Sequence, residues 1–274
     1  MTPDDYCRAA AAPSGSTLYY SLLHQTPAQR QAIIAVHALG RELREVVRDC
    51  RDDDVALQTL HWWRMEIARA RAGKATHPVC QALQPAIPRF DLPEAQFLCI
   101  IEGHEQELRQ PTPTSFAELD AWCRRTGGAL QQLTAKISGV QRPETLDHAL
   151  ALGSAIQLCH GLRNLHADCR RGKPCVPLDE MTRHGVAQKD FIQARRDDNM
   201  QDLLAAQIAR ADDCFEQALA QLPARDRAAQ RHGLIQAAIC RAILNKLRKD
   251  PCQALAERPS LSPLRKLWIA WRTH

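Results

Sequence analysis

Four polar side chains, Gln157, His160, Asn164 and Asp168, recur at intervals of three and four residues. On a helix that spacing gathers them into one stripe. Such a stripe can donate hydrogen bonds to a phosphate, or hold a metal weakly between His160 and Asp168. The competing reading is a row of polar residues lining a wet cavity without a ligand. Other chemistry is missing from the sequence. It has no Gly-x-Ser-x-Gly elbow, no glycine-rich phosphate loop and no zinc-ligand spacing. The adjacent Asp52, Asp53 and Asp54 diverge around a helix and read as its solvated N-terminus. The 11 cysteines include no CxxC pair, so they read as small core residues with reduced thiols.

Holding that stripe in place takes a long helix, and helical spacing of apolar residues predicts one over 143–171. The same periodicity predicts a helical hairpin over 17–49, broken near His24 to Pro27, with Thr26 as N-cap and Pro27 in the first turn. Further helices are expected over about 53–73, 93–109, 114–138, 187–222 and 224–250, with a short one after Pro263. Pro78, Pro85, Pro88 and Pro93 punctuate the interval after Gly73. Alternating strand patterns with hairpin turns do not occur. The expectation is an all-α protein: a flexible N-terminus over 1–13 and a single domain over 14–274.

Composition agrees. The 274 residues are 45% hydrophobic and 24% charged, but only 5% aromatic, and helix formers dominate. A net charge of +5 is too small and too dispersed to mark a nucleic-acid binder. It suits weak attraction to phosphate-bearing ligands or an anionic membrane. No signal peptide and no apolar run of about 20 residues is present, so a cytoplasmic protein is expected, with peripheral contact at the inner membrane face as a further reading. Arg265, Lys266, Trp268, Trp271 and Arg272 make a basic, aromatic C-terminal helix, read as docked on the bundle, with a membrane surface as the other option.

Four stretches carry more specific information. The first is Ser14-Gly15-Ser16-Thr17-Leu18-Tyr19-Tyr20, followed after a helix by Ala38-Leu39-Gly40-Arg41-Glu42-Leu43. The second is Glu102-Gly103-His104-Glu105-Gln106-Glu107-Leu108, leading to Trp122-Cys123-Arg124-Arg125. The third runs from Gln157 through Arg163, Asn164 and Asp168 to Pro177-Leu178-Asp179-Glu180. The fourth is Ser260-Leu261-Ser262-Pro263-Leu264-Arg265-Lys266-Leu267. In order and spacing, across about residues 14–270, they resemble the squalene/phytoene synthase family, most closely its bacterial presqualene diphosphate synthases.

That resemblance implies an isoprenoid (terpenoid) synthase-type helical bundle around a central apolar cavity. It also implies head-to-head joining of two prenyl diphosphates, with two aspartate motifs holding Mg²⁺ against the leaving group. This sequence departs from the pattern. Arg44 and Arg48 occupy the two aspartate positions of the first motif. In the second motif Asn164 replaces the first aspartate and Asp168 keeps the second. His160 stands for a usual asparagine, and Arg124 for a usual tyrosine near the diphosphate. The shifted pair Glu45 and Asp49 is rotated by about 100° and reads as a solvated edge. Ile34 and His37 are expected to line the cavity.

Three readings follow. In the first, Arg41, Arg44, Arg48, Arg124 and Arg163, with Gln157 and Asn164, clamp a diphosphate directly. Asp168 is then the remnant of a degenerate metal site, and Mg²⁺-dependent transfer is weakened or lost. In the second, the protein is an active prenyltransferase on farnesyl diphosphate with altered metal dependence. In the third, Arg44 and Arg48 meet Asp168 or Glu105 in a structural lock, and the protein is a non-catalytic assembly or scaffold protein. The expected partner is a prenyl diphosphate or another isoprenoid. No cofactor is certain; Mg²⁺ is the ion the resemblance implies.

Overall fold

The computed structural model describes all residues except 51, 141 and 274, and the described residues contain helices and no strand. Residues expected to form a flexible terminus instead begin with helix α1 (Pro3–Ala11). Thr2 and Asp5 close a capping box at its start, and Cys7 is buried. The hairpin read over 17–49 is α2 (Thr17–Ser21) followed by α3 (Pro27–Asp49). Thr26 caps α3 with Gln29 in the reciprocal position and Pro27 in the first turn, as the sequence indicates. Then come α4 (Asp53–Arg71), α5 (Pro78–Leu83), α6 (Ala86–Arg89) and α7 (Glu94–Arg109). Glycine at 73, with φ +76°, supplies the left-handed turn after α4.

The segment read as one helix over 114–138 is divided. α8 (Phe116–Cys123) runs into a π-helical turn (Arg124–Gly128), and α9 (Ala129–Ile137) follows. The long stripe helix is α10 (Pro143–Arg170). α11 (Leu178–Arg183), α12 (Gln188–Ile192), α13 (Asp198–Ala220), α14 (Arg231–Leu247), α15 (Gln253–Ala256) and α16 (Pro263–Arg272) complete the chain. The periodicity over 187–222 misses the break at Ala194, which takes a left-handed φ of 50°.

Two hydrophobic clusters form the core. One draws on α1, α3, α4, α5, α7 and α9, from Cys7 to Ile137. The other is built on α10, α13 and α14, and runs from Leu119 to Ala270. α10 packs on α13, α14, α9 and the π turn. At the last contact glycine is required: a Cβ on Gly153 would land on the Gly127 carbonyl, and one on Gly127 on that of Gly153. This backbone-to-backbone approach sets the depth at which α10 presents its polar stripe.

Candidate functional site

A cavity of about 590 Å³ opens where α3, α7, α8 and α10 converge. Its volume falls in the usual range for small-molecule sites. The stripe on α10 faces it: Gln157, His160, Asn164 and Asp168 all line the wall. α3 contributes Arg44, Val47 and Arg48 from the opposite side, so the two segments at which the resemblance implies aspartate motifs meet across this space. Leu119 and Trp122 from α8 give an apolar wall, but the lining is mixed rather than an apolar tunnel.

The charges are unevenly satisfied. Arg48 Nη2 donates to Asp168 Oδ1 at 3.2 Å, and Arg171 donates to the same oxygen. Burial pushes the Asp168 carboxyl above its ordinary value, although Arg48 and Arg171 pull it down. Arg44 makes no hydrogen bond or ion pair among the described residues. Burial lowers its guanidinium from the ordinary value, and neighbouring Arg48 pushes the same way. Glu107 lies within the field of both arginines. Burial alone would raise its carboxyl, but His104, with Nδ1 at 3.1 Å, and the two arginines bring it below the usual value. His160 is held neutral: burial, then Arg44 and Arg163, keep its imidazole well below its ordinary value. Trp122 adds a buried indole N–H with no protein partner at the cavity wall. The wall thus mixes carboxylates at Asp49, Asp53, Glu107, Glu118 and Asp168 with cations at Arg44, Arg48, Arg171 and Lys173, and the donors open to an anionic ligand are concentrated at Arg44, Arg48 and Trp122.

Three arginines expected to join this cluster point elsewhere. Arg41 pairs with Glu45 at 2.6 Å and donates to the Ala10 carbonyl, pinning α1. Arg124 is exposed and turns back to Asp120 at 2.7 Å, one helical turn earlier. Arg163 donates to the Pro259 carbonyl at 3.2 Å and is not a lining residue. Glu105 pairs with Arg64 at 3.0 Å, not with Arg44 or Arg48. Ile34 and His37 lie outside the lining; Ile34 packs in the core. Asp49, read as part of a solvated edge, reaches the cavity rim.

Sequence reasoning assigned no role to Glu107, Trp122, Arg171 or Lys173, all of which line the cavity. Glu107 had a signal available, its i,i+3 relation to His104. Arg171 stands likewise three residues after Asp168.

The donors do not fit a Mg²⁺ cluster. Among the described residues no three His, Cys, Asp or Glu side chains converge to hold a metal. Asp168 is already shared between two guanidiniums, whereas Mg²⁺ demands free, hard oxygen ligands in near-ideal geometry. Two guanidiniums beside such an ion would oppose it by an amount on the order of several kcal/mol.

Comparison with known proteins gives a consistent picture. A family model described as squalene/phytoene synthase matches residues 11–265. The chain is 29% identical over 224 residues to a 15-cis-phytoene synthase of Synechococcus elongatus, covering 77% of this chain and 73% of that protein. It is 26% identical over 282 residues to a 15-cis-phytoene synthase of Synechocystis, covering 97% and 84%. Among solved structures, a dehydrosqualene synthase in complex with ligand superposes with a TM-score of 0.81 at 20% identity, covering 99% of this chain and 95% of that one. The squalene synthase HpnC from Alicyclobacillus acidocaldarius gives 0.77 at 23% identity, covering 91% and 94%. The two structural likenesses speak to the fold alone.

Proposed function

The chain belongs to the squalene/phytoene synthase family, and from that premise we propose that its cavity binds a prenyl diphosphate through guanidinium groups in place of Mg²⁺. The observation that carries the reading is Arg44, a half-buried guanidinium at the cavity wall beside Arg48, with no ion-pair partner among the described residues. A like-charged pair in a partly desolvated wall is relieved by an incoming anion, and guanidinium forks match phosphate oxygens. Arg44 and Arg48 bind the diphosphate, and Gln157, Asn164 and Trp122 donate to its outer oxygens. Lys173 adds charge at the rim. Asp168 sets Arg48 in position and competes with the ligand for it.

Head-to-head transfer needs the leaving diphosphate neutralised as the allylic C–O bond breaks. Fixed guanidiniums bind the group but supply less Lewis acidity than a divalent ion, so turnover by this chain is weakened or lost while binding persists. Calorimetry with a non-reactive farnesyl diphosphate analogue, and diphosphate release from farnesyl diphosphate itself, each with Mg²⁺ and with chelator, test the reading. Binding that survives the chelator, with little or no release, is the expected result. Binding or rapid release that requires Mg²⁺ would overturn it in favour of an active, metal-dependent synthase. No binding under either condition would leave a scaffold protein.

A further inference from the structure

Three elements that pack together carry no acidic residue. Asp and Glu are absent from Tyr6 to Arg41, which includes α2, from Arg231 to Lys249, which includes α14, and from Arg258 to Thr273, which includes α16. α16 contacts both α14 and α2. Lys266 fixes it there by donating Nζ to the Gly15 carbonyl at 2.9 Å.

The helix is seated with its apolar side outward. Lys266, Ile269 and Ala270 are its buried residues. Leu264, Leu267, Trp268 and Trp271 are 79%, 43%, 54% and 70% exposed. At 100° per residue these four fall within an arc of about 100°, and Arg265 and Arg272 lie together on one flank. The Arg272 guanidinium sits 4.8 Å from the Trp268 ring centroid. Tyr19, on the α2 helix that α16 packs against, adds further exposed apolar surface. A docked surface helix normally buries such a stripe. The helix docks on the bundle, as the sequence reading has it, yet Trp268 and Trp271 remain 54% and 70% exposed.

We propose that α16, with Tyr19 of α2 beside it, is a docking face for an anionic lipid bilayer. Tryptophan favours the boundary between headgroups and acyl chains, where its ring is apolar and its N–H is wet. Arginines flanking an apolar stripe meet lipid phosphates while their stems stay against the hydrocarbon. The acid-free surroundings remove the repulsion that a carboxylate would add. Asp212 and Glu216 of α13, which reach α14, are paired there with Arg241 at 2.6 and 2.9 Å. A second copy of the chain is a poorer occupant. A two-fold contact through this face would set Arg265 and Arg272 near their own symmetry copies with no carboxylate to pair them. At about 15 Å long, the helix is also small for a stable protein interface.

The face shares no residue with the prenyl diphosphate site, so it is tested without that ligand. Vesicles of phosphatidylcholine, with and without about 30% phosphatidylglycerol, are sedimented with the full chain. We expect binding to the anionic vesicles, a blue shift of tryptophan emission, and release by salt. Trp268→Ser with Trp271→Ser weakens binding about ten-fold or more. Arg265→Gln and Arg272→Gln weaken it about five-fold each. All these positions are exposed, and unchanged far-UV circular dichroism confirms the fold. Three results overturn the proposal: no vesicle binding, equal binding by the double tryptophan variant, or a lipid-free dimer that the same variant dissolves.

Discussion

Arg48 on α3 and Asp168 on α10 meet at 3.2 Å across the cavity, joining two positions at which the family resemblance implies two aspartates. At the first of these positions stands a cation, and it takes the carboxylate at the other as its counter-ion. Arg171 shares that oxygen, so Asp168 is committed twice.

A ligand diphosphate therefore competes with Asp168 for Arg48. Asp168→Asn releases the guanidinium and should tighten binding of inorganic diphosphate several-fold in chelator, measured by calorimetry. Weaker binding by this variant would mean that the carboxylate is needed for recognition.

Restoring the acidic pair reverses the logic. Arg44→Asp with Arg48→Asp removes two charge-assisted contacts, each worth about 1.5–3 kcal/mol, and faces two new carboxylates towards Asp168. Metal-free affinity for a farnesyl diphosphate analogue should fall about a hundred-fold or more, and added Mg²⁺ should recover part of it. Unchanged affinity in chelator would exclude both arginines from the contact.

Stability should fall on acidification below neutrality. Burial pushes His37 down to about 3 and His232 to about 4, from an ordinary value of 6.5. Both are neutral in the folded protein and take up protons on unfolding below about pH 6.5. Their contribution is thus complete above that pH and is lost as pH falls towards about 4. Each adds a slope of about 1.4 kcal/mol per pH unit within that window. Denaturant titrations at pH 7.5, 6 and 5 measure it, and His232→Gln should flatten the curve. A curve as steep in the variant as in the parent would assign the loss to other groups.

The glycine contact is a further point of leverage. Gly153→Ala puts a methyl group on the Gly127 carbonyl and should cost about 3 kcal/mol or more, because backbone cannot yield as a side chain does. Thermal melting checks this. Gly139→Ala, where nothing lies within 4 Å but φ is +92°, should cost about 1 kcal/mol.

Glu66 is fully buried and accepts from the backbone N–H groups of Thr76 and His77 at 2.6 and 2.7 Å. Glu66→Ala strands both donors and should destabilise the protein by about 3 kcal/mol. The loop before α5 should then become the first site of proteolytic cleavage. Cleavage starting elsewhere would show that Glu66 does not hold this loop.

Much of the scaffold was legible because periodicity and caps are local. Thr26 and Pro27 announce the start of α3, and the stripe of α10 emerges intact. The partners of long side chains are not local. Arg41 was misplaced because its anchor is the end of α1, a helix hidden in an alanine-rich stretch read as flexible. Arg124 sits at the start of the π turn, and its guanidinium reaches back to Asp120. Arg163 is drawn off by the Pro259 carbonyl, 96 residues away in sequence. The resemblance placed these arginines by motif position; only packing decides where a flexible arginine reaches.

The two hydrophobic clusters divide the chain almost in sequence order, one ending at Ile137 and the other beginning at Leu119. During synthesis the first can begin to consolidate before most of the second has left the ribosome, because the members of that cluster all precede α10. The cavity lies on the seam, with Arg44 and Arg48 supplied by the early half and Gln157 to Asp168 by the late one. Ligand binding is therefore possible only once the late half has closed on the early one, and a bound anion would tie the two together, making nascent-chain maturation sensitive to ligand supply.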